Sequence, residues 1–150
     1  QWATRLTELG KVADHVGAQW LVLRPYGPGA GAGSPIVPER SAVVGGCTVI
    51  AQPDDDGRQR LAGAVAALQA AGSEITEATI DQQMNLPATV DPDLVVVLGP
   101  THRMPPSLVW ELAYSELVFV EAAWQHFGPS HLDEAIGSYA HRHRRFGGID

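Results

Sequence analysis

Leu6, Leu9, Val12, Ala13 and Val16 recur at the three-and-four spacing of one helix face, with Arg5, Glu8, Lys11 and Asp14 opposite. This predicts an amphipathic helix from about Trp2 to Val16, and Gly17 fits the left-handed residue that stops it. The continuous apolar run Trp20-Leu21-Val22-Leu23 then reads as a short strand buried on both faces. Residues 25–42 are rich in glycine and proline and predict a flexible loop. Val43 to Ala51 reads as a second strand, interrupted by Gly45 and Gly46. Asp54-Asp55-Asp56-Gly57 is a turn supplying acidic caps to a helix from about Arg58 to Ala71, ended by Gly72. Thr76 caps a shorter helix that runs to Met84 and is closed by Pro87. Leu94-Val95-Val96-Val97-Leu98 is the strongest strand signal, being β-branched, unbroken and followed by Gly99-Pro100. Ser107 to Tyr114 reads as helix, Leu117 to Val120 as a brief strand, and Ser130 to Arg145 as the last helix. Ser130 and Asp133 are spaced as a capping box. Strands that alternate with helices and read as continuous apolar runs predict an α/β fold, a parallel central sheet flanked by helices. The whole of 1–150 is expected to form one domain.

Composition narrows what such a domain can do. With 45% hydrophobic residues the chain can fill one core. A formal net charge of −7, from 17 acidic and 10 basic residues, argues against nucleic acid as a partner. Basic residues nevertheless cluster in His141-Arg142-His143-Arg144-Arg145, which keeps an anionic small molecule in play. Cys47 is the single cysteine, so no intrachain disulfide forms and a reducing, cytoplasmic setting is expected. No apolar stretch reaches the ~20 residues of a membrane span. The charged, amphipathic start does not read as a signal peptide. The chain opens at Gln1 rather than methionine, which leaves room for residues upstream.

Several motifs dissolve on inspection. Gly27 to Gly33 follows a strand as a phosphate loop would, but Pro35 and Pro38 stand where a helix would have to begin. The Asp54-Asp55-Asp56 run has no opposing acidic helix, and Gly57 makes it a turn, so capping is preferred over metal. His141 and His143 lie about 200° apart around a helix and cannot share a zinc ion. Cys47 lies in an apolar strand and reads as core. Ser107 and Ser115 lack any context that would activate a nucleophile.

Two segments carry a family resemblance. The first runs from Arg103-Met104-Pro105-Pro106 through Trp110 to Ala113-Tyr114-Ser115-Glu116-Leu117-Val118-Phe119. The second is Tyr139 through Arg144-Arg145-Phe146-Gly147-Gly148, and Trp124-Gln125 with Phe127 lies between them. In order and spacing these resemble the cis-prenyltransferases, the undecaprenyl diphosphate synthase family. The likeness is strongest over Asp91 to Gly148 and extends weakly over residues 2–148. Departures accompany it. The family's catalysts carry an Asp-Gly-Asn-Arg stretch near the N-terminus that anchors magnesium diphosphate, and nothing here matches it. They carry Arg-Thr-Ser/Gly-Gly-Glu where this chain has Val97-Leu98-Gly99-Pro100-Thr101, and a serine where it has Pro105. Long helices that wall their prenyl tunnel are replaced here by the glycine-proline loop.

The pattern of loss, with Asp91-Pro92-Asp93-Leu94-Val95 and Leu98-Gly99-Pro100, resembles the family's non-catalytic subunits typified by the Nogo-B receptor. That resemblance implies an accessory subunit, with no catalytic residue or metal of its own. Its partner would be a catalytic cis-prenyltransferase chain that uses Mg²⁺ to elongate an allylic diphosphate with isopentenyl diphosphate. Arg103, Arg145, Phe146 and Gly147 would contribute to diphosphate binding, and Trp110, Tyr114, Glu116, Phe119 and Trp124 to the subunit interface. The heteromer would lie in the cytoplasm, with peripheral contact at a membrane surface. A short homodimeric prenyltransferase and a diphosphate-binding module without turnover are the alternatives.

Overall fold

A computed structural model describes residues 2–24, 40–52, 57–99, 110 and 115–147, with the main chain alone over 143–147. Its elements are α1 (Trp2–His15), β1 (Trp20–Leu23), β2 (Arg40–Val44), β3 (Cys47–Ala51), α2 (Gly57–Ala70), α3 (Glu77–Asn85), β4 (Leu94–Leu98), β5 (Glu116–Val120) and α4 (Pro129–Gly147). The fold is α/β, and the chain divides into two compact units. One comprises residues 1–54 and 122–150, the other 55–121.

In the first unit the strand order is β1-β3-β2, with β1 parallel to β3 and β2 antiparallel to it. The stretch read as one interrupted strand is therefore a hairpin, and its sheet is mixed rather than wholly parallel. Gly45 makes the reversal at φ +59°, a conformation that costs glycine little. Asp14 on α1 completes the turn by accepting the Gly46 N–H at 2.8 Å. β2 also begins at Arg40, inside the span expected as loop; residues 25–39 lie outside the described residues.

The period-two alternation of β3 sends Cys47, Val49 and Ala51 to one face, where Leu6 and Ala13 of α1 meet them in a buried cluster. Leu21, Leu23, Ala42 and Val44 pack around that cluster. β1 is half-buried along its whole length rather than fully enclosed. α1 stops as expected. Ala18 N–H bonds the Ala13 carbonyl and Gly17 N–H the Asp14 carbonyl, both at 2.9 Å, with Gly17 at φ +80°. The same arrangement ends α2 at Gly72.

The second unit pairs β4 with β5 in parallel, Leu94 opposite Glu116 and Leu98 opposite Val120. α2 packs on α3. Thr76 caps α3 reciprocally with Thr79. Thr76 Oγ1 accepts from the Thr79 N–H at 3.1 Å, and Thr79 Oγ1 accepts from the Thr76 N–H at 2.8 Å. The last helix starts one residue before the predicted position, with Pro129 in its first turn, where a missing N–H costs nothing. His131 Nδ1 accepts the Gly128 N–H at 3.1 Å, so the expected Ser130–Asp133 capping box is replaced by a histidine. The expected Asp54–Asp56 caps and the helix over 107–114 fall outside the described residues.

Candidate functional site

Parallel α/β sheets bind ligands beyond the carboxyl ends of their strands. At that end of β4, Gly99 turns at φ +111° and donates its N–H to the Val120 carbonyl at 3.0 Å, joining the two strand ends. Just before it, Val97 is 3% exposed and pairs with Phe119. Arg103 and Tyr114, further along this connection in sequence, lie outside the described residues. At the opposite end Ser115 Oγ donates to the Pro92 carbonyl at 2.7 Å and Glu116 N–H to the Asp93 carbonyl at 3.0 Å. Glu116 and Phe119 are half-buried in β5.

Trp110, also half-buried, donates its indole N–H to Asp81 Oδ1 at 2.9 Å. Asn85, one turn along α3 from Asp81, donates its amide to Asp91 Oδ1 at 2.7 Å. Burial foremost, then Asp91, raises the Asp81 pKa, while Trp110 and Asn85 pull it down; the upward effects win. Reading the sequence missed Asp81. The available signal was Asp81 and Asn85 at i and i+4, which share one face of α3.

Trp124 lies in the first unit. Its ring stacks on Trp2, with centroids 5.4 Å apart, and on Phe127 at 6.3 Å; Phe127 in turn stacks on His131. The Arg5 guanidinium lies 5.1 Å from the Trp124 ring centroid and donates to the carbonyls of Trp124, Gln125 and Phe127. This expected interface residue thus contributes to packing within the chain. α4 carries the main chain of Arg145, Phe146 and Gly147 in helical form to its last residue. Each N–H in an α-helix is directed at the carbonyl four residues back, so these amides are oriented along the helix.

Magnesium needs several oxygen ligands in near-octahedral array. Among the described residues no three His, Cys, Asp or Glu side chains converge, and Glu116 stands opposite Leu94 in the sheet. The described donor set does not fit the ion. Cys47 is fully buried, and desolvation followed by the Asp14 charge pushes its thiol pKa up, so it is a core residue rather than a nucleophile.

The described strands and helices define an α/β protein. Residues 45–147 match the family model described as "Putative undecaprenyl diphosphate synthase", and the chain belongs to that family, the cis-prenyltransferases. It is 42% identical over 95 residues to an isoprenyl transferase of Chromobacterium violaceum, covering 63% of this chain and 38% of that protein. It is 38% identical over 103 residues to an isoprenyl transferase of Neisseria meningitidis serogroup B, covering 68% and 42%. The chain thus spans about two fifths of the length of these relatives. A crystal structure of a probable undecaprenyl diphosphate synthase from Campylobacter jejuni shares the fold. Its TM-score is 0.52 at 24% identity, over 66% of this chain and 47% of that one. Among the described residues no helix is long and apolar enough to cross a membrane.

Proposed function

We propose that this chain is a non-catalytic accessory subunit of a heteromeric cis-prenyltransferase, of the Nogo-B receptor-like kind. The observation that carries this reading is Val97. It stands where the family's catalysts place the first arginine of Arg-Thr-Ser/Gly-Gly-Glu, and it is an apolar side chain buried in β4 to 3% exposure. A valine packed into the sheet offers no cation to a diphosphate. In this reading the partner chain supplies the magnesium site and the allylic pocket. This chain supplies Trp110, Tyr114, Glu116, Phe119 and Trp124 to the contact, and Arg103 and the Arg145-Phe146-Gly147 turn to the diphosphate.

The chemistry fits that division. Prenyl elongation expels diphosphate, so charge on the departing oxygens must be stabilised. Arginine forks bind phosphate oxygens bidentately. The carboxyl end of a helix carries partial negative charge, so arginine side chains rather than the α4 dipole must attract the anion. Use of the Gly147 N–H would require the last turn of α4 to open on assembly. The complex would work in the cytoplasm, at a membrane surface.

The test is to mix the purified chain with a catalytic homologue from the same source and follow incorporation of isopentenyl diphosphate with Mg²⁺. Activity of the pair above that of the homologue alone is expected; equal activity refutes the proposal. A second reading, a short homodimeric prenyltransferase, draws on the 42% identity to an isoprenyl transferase. An Asp-Gly-Asn motif encoded upstream of Gln1, with turnover by the longer chain alone, would favour it. Tight binding of isopentenyl diphosphate by the isolated chain in calorimetry, without turnover or stimulation, would instead mark a binding module.

A further inference from the structure

Gly128 stands immediately before α4, and its carbonyl takes the first bonds of the helix. These come from the His131 N–H at 3.1 Å and the Leu132 N–H at 3.3 Å. The Gly128 N–H in turn goes to His131 Nδ1 at 3.1 Å. In a capping box, glutamate or glutamine at this third helical position accepts that same N–H. Here a histidine takes the part. An imidazole nitrogen accepts a hydrogen bond only while it carries no proton, so the ring that makes this bond is neutral, with its proton on Nε2.

A second proton turns the acceptor into a donor. Two N–H groups then face one another, and the new charge lies at the positive end of the helix dipole. The ring also stacks on Phe127, with centroids 5.7 Å apart, and Phe127 is 5% exposed and stacks in turn on Trp124. A ring that swings away from Gly128 therefore disturbs the turn over 124–128. Stacking on Phe127 can hold an imidazolium by cation–π attraction, but it supplies no acceptor for the Gly128 N–H.

We propose that His131 is a pH-sensitive cap of α4: the neutral ring closes the first turn onto Gly128, and protonation opens it. The device belongs to this chain alone and does not rest on the accessory-subunit reading.

α1 is the helix packed against α4. Its Arg5 donates to the Phe127 carbonyl at 3.1 Å, so one cation already lies beside the cap and opposes a second. Glu8 and Lys11 of α1 are exposed, as are His126 in the turn and Asp133 and Glu134 within α4. Exposed carboxylates attract an imidazolium only weakly through water. Asp14 and His15 lie at the far end of α1 from Arg5. Histidine ordinarily gains its proton near pH ~6.5, so the cap is complete in mildly alkaline solution and is lost on acidification.

The experiment is a pH series of ¹H–¹⁵N spectra of the whole chain, reading the Gly128 amide and the imidazole nitrogens. In alkaline solution the His131 ring should carry its proton on Nε2. On acidification the Gly128 amide should shift together with the His131 ring signals. Its protection from solvent exchange should fall on the order of tenfold, as for loss of one hydrogen bond. His131→Gln keeps an acceptor that does not titrate, so the Gly128 amide should stay protected throughout. His126→Gln removes the neighbouring exposed histidine and should leave the wild-type transition in place. A neutral ring with its proton on Nδ1 overturns the proposal, and that reading needs no variant. A Gly128 amide that ignores protonation of His131, shifts equally in His131→Gln, or stops shifting in His126→Gln overturns it as well.

Discussion

The guanidinium of Arg5 is more than a solubilising group on the polar side of α1. It donates to the carbonyls of Trp124, Gln125 and Phe127 and lies over the Trp124 ring, which Trp2 stacks upon. One planar cation thus satisfies the main chain of the turn that leads into α4. Arg5→Ala should destabilise the chain by about 1–3 kcal/mol, from lost charge-assisted bonds and the cation–π contact. Arg5→Lys should recover little of this, because an ammonium cannot reach several carbonyls and lie flat on a ring at once. Urea denaturation followed by tryptophan fluorescence reads both, and an unchanged midpoint in Arg5→Ala would refute the clamp. Helical periodicity placed Arg5 opposite the apolar stripe of its helix, yet the side chain is half-buried against the turn into α4. Its partners lie far along the chain, and periodicity carries no information about them. Asp81 and Asp14 escaped for the same reason, since each acts on a residue brought near only by folding.

At the scale of elements, local signals were legible wherever the deciding chemistry was local. The left-handed glycines that end α1 and α2, the Thr76 cap and the apolar run of β4 lie within a few residues of what they determine. The hairpin was not read, although Gly45-Gly46 between two apolar runs is a two-residue turn signal; continuity of the apolar pattern outweighed it. Its consequence for packing is specific. β2 returns beside β3 and brings Val44 next to Val49 under α1, leaving space at Gly10 for no side chain. A Cβ there would lie 2.7 Å from Val44 Cγ2 and 2.8 Å from Val49 Cγ2. Alanine is the better helix former by roughly 1 kcal/mol. Both obstructing atoms belong to β-branched side chains with few alternative rotamers, so relief requires α1 to lift from the sheet. Overpacking of this kind costs about 1–3 kcal/mol and should prevail, lowering the melting temperature of Gly10→Ala. A Gly10→Ala chain that melts higher would mean that α1 is not seated this closely.

For the whole molecule, family membership was legible because its signature segments are continuous in sequence, and the α/β class because its strands read as apolar runs. Division of labour between subunits is a different kind of property. It depends on which positions of a shared framework still carry charge, and Val97 and Arg145 mark the two sides of that question. Under the proposed accessory role, with valine buried in β4, anion binding would fall to the arginines, and Arg145 is the one the family pattern places beside a glycine. Arg145→Ala in the mixed assay removes a charge-assisted contact worth about 1.5–3 kcal/mol, which corresponds to roughly ten- to a hundredfold in KM for isopentenyl diphosphate. Arg145→Lys should recover part of the loss by charge alone, and the recovered part should weaken with added salt, whereas a bidentate arginine is less sensitive. Co-purification of the variant with its partner separates this role from a structural one. Intact assembly with raised KM supports diphosphate binding, while lost assembly at unchanged KM of the residual complex would make Arg145 an ordinary cation stabilising the end of α4.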